Sequence, residues 1–338
     1  MRPISKYFLS ALFALVFAFN SVAQVLFPIS VNHKDGYIDK SGKVIVEPKY
    51  DKTFPFRNGL GRFQEEGKTG FLNASGKVVI EAQFDRATDF NDGLAAVSNG
   101  GKWSFIDEKG AVKFEVNCNT AFPFSDGMAR FQLSGKMGFV DKTGRVVVEP
   151  RYESAYDFSE GLARVKQGTK WGFIDKSGKL VVPAKYDMVH DFSEGMANFL
   201  IGDEGSGKWG FIDKSGTIVL DAKFDKAFPF NNGRALVRVG DFKSGKYGFI
   251  DKTGKMIIEA EFDDAKDFKD GYACVASGIG TARKWGYVDV NGKMVIARQF
   301  AIPANFENGV AKVRIGDFKT GTEGYIDKTG KFIWQSKK

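Results

Sequence analysis

One short string recurs nine times along this chain, and it constrains the fold more than any other feature. The string is G-[FY]-[ILV]-[DN]-x-x-G, with Ser104 replacing the first glycine once, and its copies are spaced 34 residues apart four times and then 38 residues apart four times. A fixed period of this length indicates repeated units that bury one another's apolar faces. The units start near Gly36, Gly70, Ser104, Gly138, Gly172, Gly210, Gly248, Gly286 and Gly324.

Each unit has the composition of short strands, not of helices. Glycines occupy several fixed positions in every copy, and a glycine inside a helix costs about 1 kcal/mol relative to alanine. The apolar stretches are short and rich in Val, Ile and Phe, which is typical of strands. In the fifth unit we predict strands at 162–165, 171–175 and 180–182, followed by a crossing segment to the next unit.

A tight turn closes the second hairpin of every unit. Asp175 is placed to accept hydrogen bonds from the backbone that follows it, and Gly178 is placed to adopt the positive φ that closes the turn. We interpret the repeated acid as a cap of its own turn and not as a metal ligand, because a calcium loop needs several oxygen ligands close together. The corresponding glycines are predicted structural anchors: Gly42, Gly76, Gly110, Gly144, Gly178, Gly216, Gly254, Gly292 and Gly330.

The two ends of the chain bear on how the array is arranged. A lone first strand is predicted near 25–31 and a last third strand at 332–334, which gives nine three-stranded units and eight connectors. We therefore predict an all-β tandem array of nine short antiparallel units, with an open curved solenoid favoured. Propeller-like closure is the second arrangement; the connectors would then serve as fourth strands, and one blade would lack its own.

Residues 1–23 are expected to be a signal peptide. Arg2 and Lys6 precede an apolar run, and Ser21 and Ala23 are small residues suited to cleavage before Gln24. The apolar run is shorter than the roughly 20 residues of a membrane span, and no second run follows. The mature chain, 24–338, is expected to be one exported repeat domain without a transmembrane segment, located in the periplasm, on the outer surface or outside the cell.

Lys170-Trp171-Gly172-Phe173-Ile174-Asp175 and its copies resemble the WG, or KWG, repeat family over roughly residues 25–338. The resemblance implies an all-β repeat protein that is common in bacteria and often exported, and it implies binding or scaffolding but no known activity. Several units depart from the family by lacking the tryptophan, with Thr69, Met137, Tyr247 and Glu323 in its place.

The sequence offers no arrangement of residues that indicates catalysis. His33 and His190 lack a nucleophile in an identifiable setting, and His190 holds a crossing position that is aromatic in other units. Cys118 and Cys274 are interpreted as unpaired thiols, with a disulfide between them as the disfavoured alternative. We predict that the protein is not an enzyme, has no cofactor and no metal site, and does not bind nucleic acid, because its formal charge of +8 is diffuse.

Two features are predicted to bind a partner. Four-residue insertions lengthen the loops at 202–208, 240–246, 278–284 and 316–322, and insertions on one side of an array commonly mark its binding face. Two of these loops are nearly identical in sequence, and their candidate residues are Asp241, Phe242, Lys243, Asp317, Phe318 and Lys319. We predict a protein-binding or scaffolding surface at the bacterial envelope.

The alternative function is glycan or peptidoglycan binding. Aligned indoles could stack on sugars, and the basic turn tips could contact an anionic envelope polymer. A structural role in the core is the competing interpretation for the indoles, and solubility is the competing one for the tips. The candidate indoles are Trp103, Trp171, Trp209 and Trp285. The basic tips are Lys40, Lys43, Lys142, Arg145, Lys176, Lys179, Lys252, Lys255, Lys328 and Lys331.

Overall fold

The nine repeats fold into nine small antiparallel sheets that form a ring, a nine-bladed β-propeller. The computed structural model describes residues 25–241, 243–317 and 320–336. We name the strands of each blade a, b, c and d in chain order. Blade 1 consists of strands b, c and d only, and blade 5 has a single bridge, Ala155 to Val165, in place of strand a.

Each blade contains three or four strands. Blades 1 to 3 contain Phe27–Val31, Lys34–Ile38 and Val44–Tyr50; Lys52–Thr53, Leu60–Glu65, Lys68–Asn73 and Val78–Phe84; Arg86–Ala87, Leu94–Asn99, Lys102–Asp107 and Val112–Val116. Blades 4 to 6 contain Thr120–Ser125, Met128–Leu133, Lys136–Asp141 and Val146–Tyr152; Leu162–Gln167, Lys170–Asp175 and Leu180–Tyr186; Met188–Val189, Met196–Ile201, Lys208–Asp213 and Ile218–Phe224. Blades 7 to 9 contain Lys226–Asn231, Arg234–Val239, Lys246–Ile250 and Met256–Phe262; Asp264–Ala265, Tyr272–Ser277, Lys284–Asp289 and Met294–Phe300; Ile302–Pro303, Val310–Ile315, Thr322–Asp327 and Phe332–Gln335. One short 3₁₀ helix, Gly280–Ala282, lies in the loop of blade 8.

The connectors account for the difference between the predicted three-stranded units and the observed blades. In seven blades part of the connector pairs with strand b as a short strand a, for example Lys52 with Gln64. Blade 1 has no preceding connector among the described residues and has three strands, as expected for the closed arrangement.

The ring closes between blade 9 and blade 1. The Tyr325 hydroxyl donates a 2.7 Å hydrogen bond to the Pro28 carbonyl, and the Tyr325 and Phe27 rings lie 5.7 Å apart. Arg57 and Glu307 form an ion pair between blades 2 and 9. The open solenoid favoured from the sequence is therefore not the arrangement found; the connector count fits either arrangement, and packing between the ends selects the closed one.

The core lies between blades and is organised by paired aromatic rings. The aromatic residue of the repeated string in one blade packs against the phenylalanine of the Phe-x-x-Gly turn in the next, as for Phe71 and Phe90, whose centroids are 4.8 Å apart. The same pairing occurs at seven more junctions: Tyr37–Phe56, Phe105–Phe124, Phe139–Phe158, Phe173–Phe192, Phe211–Phe230, Phe249–Phe268 and Tyr287–Phe306. Aromatic pairs of this kind contribute about 0.5–1.5 kcal/mol each beyond the area they bury.

Candidate binding face

Because strands a to d are antiparallel and sequential, their connections alternate between two faces of the ring. The a–b and c–d turns lie on one face, which we call the turn face. The b–c loops and the d-to-a connections lie on the other, which we call the loop face. The predicted basic tips therefore lie on the turn face, and the four lengthened loops, of blades 6 to 9, lie on the loop face.

The repeated turn acids cap their own turns. Asp175 Oδ1 accepts hydrogen bonds from the Ser177 and Lys179 amides at 2.9 and 3.0 Å, and Gly178 has φ +83°. The side-chain hydrogen bond from Ser177 is the largest influence that lowers the pKa of Asp175. All nine predicted anchor glycines have positive φ, between +81° and +87°.

Two of the ten predicted basic tips form ion pairs with the neighbouring blade. Lys176 Nζ lies 2.7 Å from Asp126 Oδ1, and Lys252 Nζ lies 3.6 Å from Glu194 Oε2. Asp126 also accepts a hydrogen bond from the Gly161 amide of the next blade. These lysines form ion pairs that join adjacent blades. The pairs partly neutralise their positive charge, so these lysines attract an anionic polymer less strongly than the sequence suggested.

Three of the four candidate tryptophans are buried. Trp103, Trp209 and Trp285 expose 6%, 2% and 7% of their surface. The Trp103 indole donates a 3.1 Å hydrogen bond to the Asn119 carbonyl, and Trp209 stacks on His190 at 5.1 Å. These indoles pack against the crossing segments and lack the exposed faces that the prediction of ligand binding requires. Trp171 is half-buried against the exposed Tyr156, with centroids 5.7 Å apart.

The two cysteines and His190 serve as packing residues. Burial is the main cause of a pKa of about 4 for His190, of about 11 for Cys118 and of about 12 for Cys274. Both cysteines are free, and they belong to different blades. No group of three or more metal-ligating side chains occurs among the described residues, and no helix in that part of the chain is long and apolar enough to span a membrane.

The candidate residues of the lengthened loops divide into loop-forming and exposed side chains. Asp241 accepts hydrogen bonds from the Lys243 and Ser244 amides at 2.7 and 2.8 Å, and Asp317 Oδ1 accepts one from the Thr320 amide at 2.7 Å. Both aspartates therefore shape their own loops, whereas Lys243 is exposed. Phe242, Phe318 and Lys319 lie outside the described residues.

Exposed aliphatic side chains recur on the loop face beside these loops, and the sequence reasoning missed them. Ile201, Val239 and Ile279 are 53%, 50% and 80% exposed in blades 6, 7 and 8. At the position of Ile201 and Val239, the five short-loop blades have the polar Glu65, Asn99 and Gln167 or the partly buried Val31 and Leu133. Exposure, which the sequence alone does not give, distinguishes Ile201 and Val239 from the partly buried Val31 and Leu133.

Two cavities lie between the lengthened loops. A cavity of about 540 Å³ separates the loops of blades 7 and 8 and is lined by Arg238, Lys243 and Asp264. A second, of about 610 Å³, separates the loops of blades 8 and 9 and is lined by Lys284, Trp285 and Ile302. The lengthened loops thus enclose clefts that combine cationic and apolar groups on one face of the ring.

Eight segments of the chain match the family model described as WG containing repeat. The matches are 36–68, 70–103, 103–136, 137–171, 171–204, 209–241, 247–278 and 285–317. This chain belongs to the WG containing repeat family. No curated protein matches it. The WG repeats found here correspond to the blades, each match running from strand c of one blade to the b–c loop of the next.

Solved structures are similar to the WG propeller in fold alone. The chain superposes on a structure described as the eukaryotic initiation factor with TM-score 0.64 and 12% identity, over 93% of this chain and 96% of that one. A KlHsv2 variant with loop 6CD replaced by a Gly-Ser linker gives TM-score 0.43 and 7% identity, over 78% and 93%. TolB from Acinetobacter baumannii gives TM-score 0.35 and 10% identity, over 74% and 77%.

Proposed function

We propose that this WG-repeat propeller is a non-catalytic binding protein whose loop face, across blades 6 to 9, holds a protein partner. The observation that carries the proposal is the coincidence of lengthened loops with exposed aliphatic residues. Ile201, Val239 and Ile279 lie beside the loops that are longer. Exposed apolar groups gathered beside polar and charged ones are characteristic of interaction surfaces.

The alternative of glycan binding has less support. Three of the four candidate indoles are buried, so sugar stacking would depend on Trp171 and Tyr156 alone. Two of the ten predicted basic tips, Lys176 and Lys252, pair with acids of the adjacent blade. The loop face keeps its exposed groups, which favours a protein partner over an anionic polymer.

We also propose that the protein acts outside the cytoplasm of a bacterium, at the cell envelope. The support is the signal-peptide pattern of residues 1–23, which lie outside the described residues, and the frequent export that the resemblance to WG repeats implied. Secretion of the chain with cleavage before Gln24, read by N-terminal sequencing, tests this separately from binding.

Capture of partners from solubilised envelope of the source cells, with matched variants, tests the binding surface. The loop-face variant combines Val239→Asp with Ile279→Asp. Its control combines Val112→Asp with Ile218→Asp, which lie in d strands of blades 3 and 6 and are 58% and 47% exposed. We expect one protein to be retained by the wild-type and control chains and lost from the loop-face variant.

The second variant shortens all four loops to the form of the 34-residue units. It should fold, with an unchanged β-sheet circular dichroism spectrum, and lose the same partner. Retention of that partner by both loop-face variants would show that binding occurs elsewhere.

A further inference from the structure

At five junctions between blades, one aspartate after strand d joins two blades through its carboxylate. Asp225 shows the arrangement. Its Oδ1 accepts a 2.5 Å hydrogen bond from Lys208 Nζ, at the start of strand c in blade 6, and its Oδ2 accepts a 2.8 Å bond from the Gly240 amide in the b–c loop of blade 7. The same two contacts are made by Asp51, Asp85, Asp187 and Asp263.

The two donors favour the ionised carboxylate. The Lys170 side chain, followed by the Gly202 amide, lowers the pKa of Asp187, and the Lys246 side chain, followed by the Gly278 amide, lowers the pKa of Asp263. Hydrogen bonds in which the donor or the acceptor is charged are about twice as strong as neutral ones. A lysine and a loop amide in this arrangement therefore form a site for one carboxylate.

The junction between blades 8 and 9 keeps both donors but has no acid at the position of Asp225. Lys284 starts strand c of blade 8 and Gly316 opens the b–c loop of blade 9, at the positions of Lys208 and Gly240. Ala301 stands where five junctions have aspartate and the remaining two have Asn119 and Glu153. Within the described part of the chain, neither Lys284 Nζ nor the Gly316 amide has an acceptor.

The space left by the missing carboxylate is open. Lys284, Ala301 and Gly316 all line the cavity of about 610 Å³ between the loops of blades 8 and 9. Asp317 also lines it, and its Oδ1 accepts a hydrogen bond from the Thr320 amide of its own loop. Trp285 and the half-exposed Ile302 form an apolar part of the same wall. The cavity is large enough for an amino-acid side chain and its neighbours, and it opens on the loop face.

We propose that this junction binds the side-chain carboxylate of an aspartate or glutamate in a partner polypeptide, in the position that the chain's own aspartates occupy at five other junctions. Lys284 Nζ and the Gly316 amide donate to the carboxylate, and the half-exposed Ile302 contacts an apolar residue beside it. The proposal deepens the proposed function and rests on the loop face being the surface that binds.

Titration of the Gly316 amide by NMR tests the site without a known partner. The probe is N-acetyl-aspartate N-methylamide, and the matched control is the asparagine compound, which differs by one charge. In the wild-type chain we expect the aspartate compound to shift the Gly316 amide proton downfield and the asparagine compound to leave it unchanged. Absence of a Gly316 response, or an equal response to both compounds, would overturn the proposal.

Two variants make the test specific. Ala301→Asp supplies an internal carboxylate, so its Gly316 amide should be shifted without the probe and should not respond to it. Lys284→Met removes the charged donor and should weaken binding of the probe by at least about tenfold, since a hydrogen bond to a charged group is worth about 1.5–3 kcal/mol. A variant with Ala301→Asp that still binds the probe contradicts the assignment.

The partner experiment separates this proposal from the proposed function. If the chain carrying Ala301→Asp retains the partner that the loop-shortened chain loses, the loop face binds but the carboxylate site does not take part, and the proposal fails alone. Loss of the partner from the Ala301→Asp chain, with an unchanged fold, supports both.

Discussion

The Tyr325 hydroxyl donates a 2.7 Å hydrogen bond to the carbonyl of Pro28, which lies 297 residues earlier in the chain. Tyr37 makes the corresponding bond to the Arg62 carbonyl within the ring, at 3.0 Å. The contact that closes the ring is therefore the contact that joins ordinary neighbouring blades. The first and last blades meet as two further members of the repeat, although no peptide connects them.

Replacing Gly42 tests closure directly. Gly42 and Gly59 have nearly the same backbone, with φ +87° and +84°, but a Cβ on Gly42 would lie 1.9 Å from the Ile333 carbonyl oxygen of blade 9, and one on Gly59 meets nothing within 4 Å. Both alanine variants carry the cost of the left-handed conformation, about 1–2 kcal/mol. We expect Gly42→Ala to lower the free energy of unfolding by about 1–3 kcal/mol more than Gly59→Ala, as measured by urea denaturation. Equal losses would indicate that blades 1 and 9 do not pack together.

Arg62 connects blade 2 to blade 3, and its replacement should lower the free energy of unfolding. Its Nε donates to Asp89 Oδ1 at 2.8 Å, its Nη1 donates to the Ala87 carbonyl at 2.7 Å, and its guanidinium lies 3.8 Å from the Phe54 ring centroid. A lysine has no planar fork with which to reproduce these contacts. We expect Arg62→Lys to lower the free energy of unfolding by about 1–3 kcal/mol. Lys49→Arg, on an exposed residue, is the control and should change it by less than about 0.5 kcal/mol; a similar small change for Arg62→Lys would show that the contact contributes little.

The repeat units were predictable from the sequence because their determinants are local. The Asp175 cap and the positive φ of Gly178 depend on residues within one turn, so the pattern indicated the hairpin and its strands. Closure depends instead on the angle at which each blade packs on the next, which no single turn determines. The counts of units and connectors allowed both arrangements.

The candidate site was less predictable because exposure is a tertiary property. The sequence indicated Trp209 as a candidate ligand contact, but in the structure the crossing segment places His190 against its ring. Ala301 was visible as the one alanine at a position usually held by aspartate, asparagine or glutamate. The consequence of this alanine could be inferred only from the contacts of Asp225 in the structure. They show that Lys284 and Gly316 lack the acceptor that the corresponding donors share at that junction.

His190 should give the chain a pH-dependent stability that phenylalanine removes. Burial lowers its pKa to about 4, with a further contribution from Arg164, whereas the unfolded chain protonates it near 6.5. The unfolded state therefore binds more protons between these values, and stability contributed by neutral His190 is lost as the pH falls from about 6.5 to about 4.

Phe54, Phe122 and Phe228 hold the equivalent position in other blades, so His190→Phe should fit. We expect the variant to gain up to about 3 kcal/mol relative to the wild type at pH 4. Denaturation at several pH values measures the difference, and the imidazole signal of His190 in NMR gives its pKa directly. A difference that is independent of pH would contradict the neutral, buried state.

Asp267 should give the chain a pH-dependent stability of the opposite sign to that of His190, because the junction of Asp267 lacks the arginine found at other junctions. Asp89, Asp157 and Asp191 pair with Arg62, Arg130 and Arg164 of the preceding blade, whereas the residue at the arginine's position facing Asp267 is Leu236. Asp267 Oδ1 has no hydrogen-bond partner among the described residues. Burial alone raises the pKa of Asp267 to about 6.

Here the folded state binds the extra proton, so the free energy of unfolding falls as the pH rises from about 4 to about 6. Asp267→Asn removes the ionisation. We expect the variant to match the wild type near pH 4 and to be more stable by up to about 3 kcal/mol above pH 7. Asp89→Asn is the matched control and should destabilise the chain at neutral pH, because it breaks the pair with Arg62. Stability curves of the wild type and Asp267→Asn that run parallel from pH 4 to pH 8 would show that Asp267 is ionised throughout and that another group holds its charge.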